Sequence, residues 1–179
     1  MANFRFCLLL CLSFHVLGQQ YQLAILRGRV MDPESGLDAF RNLGIRDGRI
    51  VAITPDRIVA KTVVDAKGLV VAPGFIDLHS HGQTPESYRF KARDGVTTAL
   101  ELEVGAWPIP PWYAERTGKA LVNFGASSGH IPASIAVMHD SGRLLPRDRA
   151  AERAPNAEEQ REILQHIRQG LSEGGLGVG

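Results

Sequence analysis

Short apolar runs broken by turn residues fill residues 21–72. Gln22–Val30 is mostly apolar, and Asp32-Pro33-Glu34-Ser35-Gly36 is a cluster of turn formers. Leu43-x-Ile45 and Ile50-x-Ala52-Ile53 flank Asp47-Gly48, which predicts a hairpin closed by a primed turn. Thr62–Asp65 and Leu69–Ala72 read as two further short strands around Ala66-Lys67-Gly68. This stretch is expected to be a small antiparallel β unit.

The pattern changes at Pro73-Gly74. Phe75–Leu78 is a nearly continuous apolar run, the kind expected of a parallel strand covered on both faces. Thr84 before Pro85 predicts a helix over Pro85–Arg93, closed by Asp94-Gly95. Val96–Val104 and Leu121–Gly125 read as strands, and Pro111–Arg116 and Ile131–Met138 as helices. Asp140–Pro155 is a polar, Arg-rich connection. Asn156-x-x-Glu159 then resembles a capping box opening a helix to about Glu173, with Ile163, Ile167 and Leu171 as its apolar stripe. Strands alternating with helices at this spacing predict an α/β fold with a parallel sheet. Leu176–Gly179 would begin a fourth parallel strand, and so few strands leave an open edge, so the chain is expected to be the N-terminal fragment of a larger domain.

The first residues stand apart. Met1–Arg5 carries an Arg, Phe6–Leu12 is solidly apolar, and Gly18 offers a small-residue exit, which reads as a signal peptide over residues 1–18. The expected location is therefore exported, periplasmic or extracellular, with no membrane association once the leader is removed. Both cysteines, Cys7 and Cys11, lie in that segment, so the mature chain would have no disulfide and no Cys ligand or nucleophile. Of the 179 residues, Lys+Arg number 20 and Asp+Glu 19, for a net charge of +1, which argues against a nucleic-acid partner. No Gly-rich loop has phosphate-binding spacing and no Ser sits in a nucleophile elbow.

The candidate chemistry begins at Ala72-Pro73-Gly74-Phe75-Ile76-Asp77-Leu78-His79-Ser80-His81-Gly82. Spacing of two on a strand puts His79 and His81 on one face, at the C-terminal strand end where α/β barrels keep their active sites. Two such imidazoles can share one cation.

This segment resembles the first barrel strand of the amidohydrolase superfamily. Gly95-Val96-Thr97-Thr98 is similar to the second strand of the N-acyl-D-amino-acid deacylases (D-aminoacylases), Asn123–His130 to their third strand and loop, and Gly170–Gly177 to the approach to the fourth. The resemblance implies three parts: the leader over residues 1–18, a β-sandwich portion over 19–72, and the first three to four strands of a TIM-type (β/α) barrel over 73–179. It implies a metal-dependent hydrolase of C–N amide bonds other than peptide bonds, acting on a small N-acyl amino acid. His79 and His81 would hold zinc or another divalent metal, one ion or two. Where D-aminoacylases carry a Cys at the end of the second strand, this chain has Glu101 and Glu103; Glu103, nearer the strand end, is the first choice of ligand, and Glu101 shares its parity. His130 would lie on the substrate side. The general base, an Asp of the eighth strand, and two further His ligands are expected on later strands.

Of the remaining candidates, His139 reads as a capping or surface residue, His166 as solvated, Asp77 as a hydrogen-bonding residue below the metal, and Trp107, Trp112 and Tyr113 as loop packing. Two other functions stay open: a dihydroorotase-, hydantoinase- or isoaspartyl-dipeptidase-like amidohydrolase, and a non-catalytic secreted module.

Overall fold

The structure, a computed structural model, describes residues 21–179; the expected leader and both cysteines lie outside the described residues. The chain divides into two compact units, one reaching Pro73 and one spanning Gly74–Gly179. No helix among the described residues is long and apolar enough to cross a membrane.

The first unit is a five-stranded sheet of β1 (Tyr21–Asp32), β2 (Leu37–Arg46), β3 (Arg49–Thr54), β4 (Ala60–Asp65) and β5 (Val70–Val71). The hairpin between β2 and β3 turns at Asp47 and Gly48, with φ of 51° and 71°. Both central residues thus take the positive φ that a type I′ turn demands. β1, β2 and β3 pair antiparallel, as expected. The expectation of an antiparallel unit fails for β4 and β5, which run parallel to β1 through Leu23↔Thr62 and Arg29↔Val70. A tight turn returns the chain antiparallel, whereas a chain that crosses the sheet to its other side can enter parallel. The chain makes that crossing between β3 and β4. Ala66–Leu69, which reads as a turn between strands, is instead a detour along one edge: Ala66 donates to the Leu26 carbonyl and Arg29 to that of Leu69, at 2.8 and 3.0 Å.

The second unit alternates strand and helix. It comprises β6 (Phe75–Asp77), α1 (Pro85–Arg93), β7 (Val96–Ala106), α2 (Ile109–Arg116), β8 (Asn123–Ser128), α3 (His130–Val137), the single turn α4 (Arg149–Glu152) and α5 (Ala157–Ser172). The three strands are parallel in the order β6-β7-β8, without reversal, as consecutive strands of a (β/α) barrel are. Residues 176–179 follow alongside β8: Leu176 donates to the Ala126 carbonyl at 2.9 Å, and Ser128 bridges Val178 in parallel.

The helix ends are written locally. Thr84 caps α1, and Ser87 reciprocates on the Thr84 backbone; Asn156 and Glu159 do the same for α5. Ile163 and Ile167 of α5 pack with Ala133, Val137 and Trp107. Leu171, the third residue of the expected stripe, stays exposed, and Gly170 is buried in its place beside Ser128.

The expectation of a strand covered on both faces does not hold for β6. Phe75, Ile76 and Leu78 are 68%, 61% and 58% exposed, because β6 is the edge of its sheet and α1 packs against β7. The polar connection after α3 winds around Asp140, whose carboxylate accepts from the backbone N–H groups of Gly142, Arg147, Asp148 and Ala150. Burial pushes that carboxyl up, but the four donors outweigh it and hold it well below the usual carboxylate range.

Candidate metal centre

The chain beyond β6 keeps tracking β7. Ser80 donates its backbone N–H to the Leu100 carbonyl at 3.0 Å, and His79 bridges Glu101. The His-Ser-His segment therefore lies beside the acidic part of β7. That part is itself irregular: Glu101 pairs with Ala126 and Ala106 with Ser128, so five steps of β7 run against two of β8. A bulge of this kind re-aims side chains at a sheet rim. Gly105 makes it possible, with φ of 71° and no room for a Cβ, which would fall 2.6 Å from the Gly129 Cα.

At this rim, Nε2 of His79, Nε2 of His81 and an oxygen of Glu103 form a triangle. The three distances, His79 to His81, His79 to Glu103 and His81 to Glu103, are each 2.9 Å. The two rings stand edge to face, 84° apart. The other nitrogen of His81, Nδ1, lies 2.8 Å from Oε2 of Glu101. Glu101 is buried, with 7% of its side chain exposed, whereas those of His79 and Glu103 are 64% and 60% exposed.

Proton counting shows what the triangle requires. An ionised Glu101 only accepts, so Nδ1 of His81 carries a hydrogen, and in the neutral ring Nε2 is then a lone pair. That lone pair faces Glu103, another acceptor. A proton or a cation must lie between them. Consistently, the Glu101 hydrogen bond holds the His81 imidazole above its usual range, against burial and with help from Glu103. The set fits a divalent metal: two imidazole nitrogens and a carboxylate oxygen suit zinc, and atoms this close can all reach one ion through bonds of about 2.1 Å.

The segment carrying the two imidazoles is anchored from behind. Asp77 accepts from the His79 backbone N–H at 3.1 Å and from Lys91 of α1 at 2.5 Å. The Lys91 ammonium holds the Asp77 carboxyl below its ordinary range. Gln83 donates to the Ser80 carbonyl at 3.0 Å, and Tyr88 donates to Gln83 at 2.8 Å; both side chains are buried. Sequence reasoning missed Gln83 and Tyr88. Their one available cue was a Tyr on the first turns of the helix that follows the His pair.

The structure thus brings His79, His81, Glu103 and Glu101 together. His130 is placed at the start of α3, where its Nδ1 lies 2.7 Å from the Gly179 carbonyl oxygen, and its backbone N–H donates to that same oxygen. His139 follows the α3 cap with φ of 52° and is exposed. The solvated reading of His166 is corrected: its ring stacks on Trp107 with centroids 4.3 Å apart, because the bulged end of β7 carries Trp107 onto the flank of α5. Trp112 and Tyr113 pack around Phe124, with Arg116 over the Trp112 ring.

A solved structure of N-acyl-D-glutamate deacylase from Bordetella bronchiseptica, complexed with zinc and a phosphonate inhibitor, superposes with a TM-score of 0.71 at 26% identity, over 89% of this chain and 38% of that one. Dihydroorotase of Streptococcus pneumoniae is 45% identical over 64 residues, which is 35% of this chain and 15% of the relative. Allantoinase of Escherichia coli is 40% identical over 115 residues, or 55% of this chain and 25% of the relative. The chain thus spans a quarter or less of these two relatives. The amidohydrolase family profile matches residues 62–178, which covers most of the second unit and the whole of the candidate site. The chain belongs to the amidohydrolase family.

Proposed function

We propose that this chain carries part of the metal site of an exported hydrolase that cleaves C–N amide bonds, with N-acyl-D-amino acids as its substrates. The observation that carries this reading is the triangle of His79, His81 and Glu103, with all three edges at 2.9 Å. These three residues would hold a divalent metal, and two imidazole nitrogens with a carboxylate oxygen suit zinc. When bound, a divalent ion acidifies a water toward neutrality and polarises a scissile carbonyl.

The chain's own groups do the rest of what it contributes. Asp77 and Gln83 fix the backbone on either side of the two imidazoles, so the rings meet the acidic strand in one geometry. The exposed sides of His79 and Glu103 leave an approach for a small amide. His130, at the end of the neighbouring strand, contacts the substrate. The general base and further ligands belong to later barrel strands of the whole enzyme.

The structural likeness to a deacylase over nearly the whole described chain favours an N-acyl amino acid. The local identity to dihydroorotase and allantoinase favours a second reading, in which the substrate is a cyclic amide. Incubating the zinc-loaded whole enzyme, with its later barrel strands, with N-acetyl-D-glutamate, other N-acetyl-D-amino acids, dihydroorotate and allantoin separates the two. Release of a free D-amino acid supports deacylation. Ring opening of a cyclic amide, with the acyl amino acids untouched, moves the assignment to the second reading.

A further inference from the structure

Glu101 is the buried carboxylate of the site, and one of its two oxygens, Oε1, is buried without a hydrogen-bond partner among the described residues. A carboxylate with an unpaired oxygen is costly to bury, and a strand position beside an apolar core would ordinarily take an apolar residue. Its neighbours on the buried positions of β7 are Ala99 and Val104. The oxygen that is used, Oε2, meets His81 at Nδ1, 2.8 Å away.

We propose that Glu101 is a positioning residue, which locks the His81 ring in the Nδ1–H tautomer and so presents its Nε2 lone pair to the cation shared with His79 and Glu103. This rests on the metal reading given above. An imidazole can ligate through either nitrogen, and the one left free is set by the hydrogen bond the other makes. In water the two tautomers interchange, so a ring without Glu101 spends part of its time with a hydrogen on Nε2, where it cannot ligate. The Glu101 carboxylate removes that alternative. It also fixes the ring plane, since His81 is clamped between an acceptor at Nδ1 and the triangle at Nε2. Glu101 and Glu103 thus divide their work although they share strand parity. Glu103 is turned out to the exposed rim, and Glu101 is held beneath the ring.

The test uses the full 179-residue chain and nitrogen-15 NMR of its histidine rings, recorded metal-free at a pH where His81 is neutral. The wild type is expected to show His81 as the Nδ1–H tautomer. Glu101→Leu removes the acceptor, and His81 should become a mixture richer in Nε2–H; Glu101→Gln, which keeps size and can donate or accept, should give an intermediate mixture and serves if the Leu variant does not fold. Competition titration with Zn2+ should show both variants binding about 10–100-fold more weakly than wild type, as expected for loss of an outer-shell carboxylate. An unchanged His81 tautomer in the variants overturns the proposal. So does loss of Zn2+ binding as complete as in His81→Ala, which would make Glu101 a ligand. A wild-type chain that binds no Zn2+ overturns the metal reading instead, while the metal-free tautomer comparison still decides the role of Glu101.

Discussion

The hydroxyl of Tyr88 donates to Oε1 of Gln83 at 2.8 Å, and Gln83 passes the constraint on by donating to the carbonyl of Ser80. Both side chains are buried, Tyr88 at 1% and Gln83 at 5% exposure. The peptide between the two imidazoles is thereby tied to α1 rather than left as a free loop. Tyr88→Phe keeps the ring and strands one acceptor, so it should cost about 1–3 kcal/mol in urea unfolding. It should also loosen Zn2+ binding relative to a Tyr21→Phe control in the first unit, which a purely global loss of stability would not do while the protein is still fully folded.

Gly105 is required at the bulge both for its φ of 71° and for its close approach to Gly129. Gly105→Ala should destabilise the second unit by about 1–3 kcal/mol or more, through backbone strain and the displaced contact. Urea unfolding is the check. A neutral result would mean the bulge can relax without its glycine.

Much of this architecture is legible in the sequence because it is decided within a few residues. Asp47-Gly48 dictates its hairpin, Thr84-Pro85 opens α1, Asn156 and Glu159 cap α5, and the His-x-His spacing puts both rings on one side. What is not legible depends on distant partners. The parallel entry of β4 and β5 follows from a crossover, and no local residue announces it. The exposure of Phe75 and Ile76 follows from the edge position of β6. The different settings of Glu101 and Glu103, two residues apart, arise from the bulge between β7 and β8, which a regular period of two cannot express.

Glu159 gives a pH dependence with a definite sign. Arg153 grips it with two hydrogen bonds of 2.6 and 2.7 Å, and the Asn156 backbone adds a third, which lowers its carboxyl from 4.5 to about 2. A carboxylate depressed on folding stabilises fully above its unfolded value and loses that contribution as pH falls through its folded one. The stability difference between wild type and Arg153→Ala should therefore be constant near neutrality and shrink from about 4.5 down to about 2. A difference that does not change over that window would contradict the pairing.

The leader expected over residues 1–18 predicts that the chain, expressed in a bacterial host competent for export, is recovered outside the cytoplasm with its first residue just after Gly18. Intact-mass measurement of the exported and cytoplasmic fractions reads this. A chain retained in the cytoplasm with residues 1–18 still attached would contradict it.

The central claim is that His79, His81 and Glu103 hold one cation between them. X-ray absorption at the zinc edge, with anomalous diffraction from the zinc-loaded protein, tests it most directly. The account predicts zinc bonded to Nε2 of both imidazoles and to a carboxylate oxygen of Glu103, and no zinc retained after His79 and His81 are both replaced by Ala. Zinc seated elsewhere on the chain, or held equally well by that double variant, would contradict it.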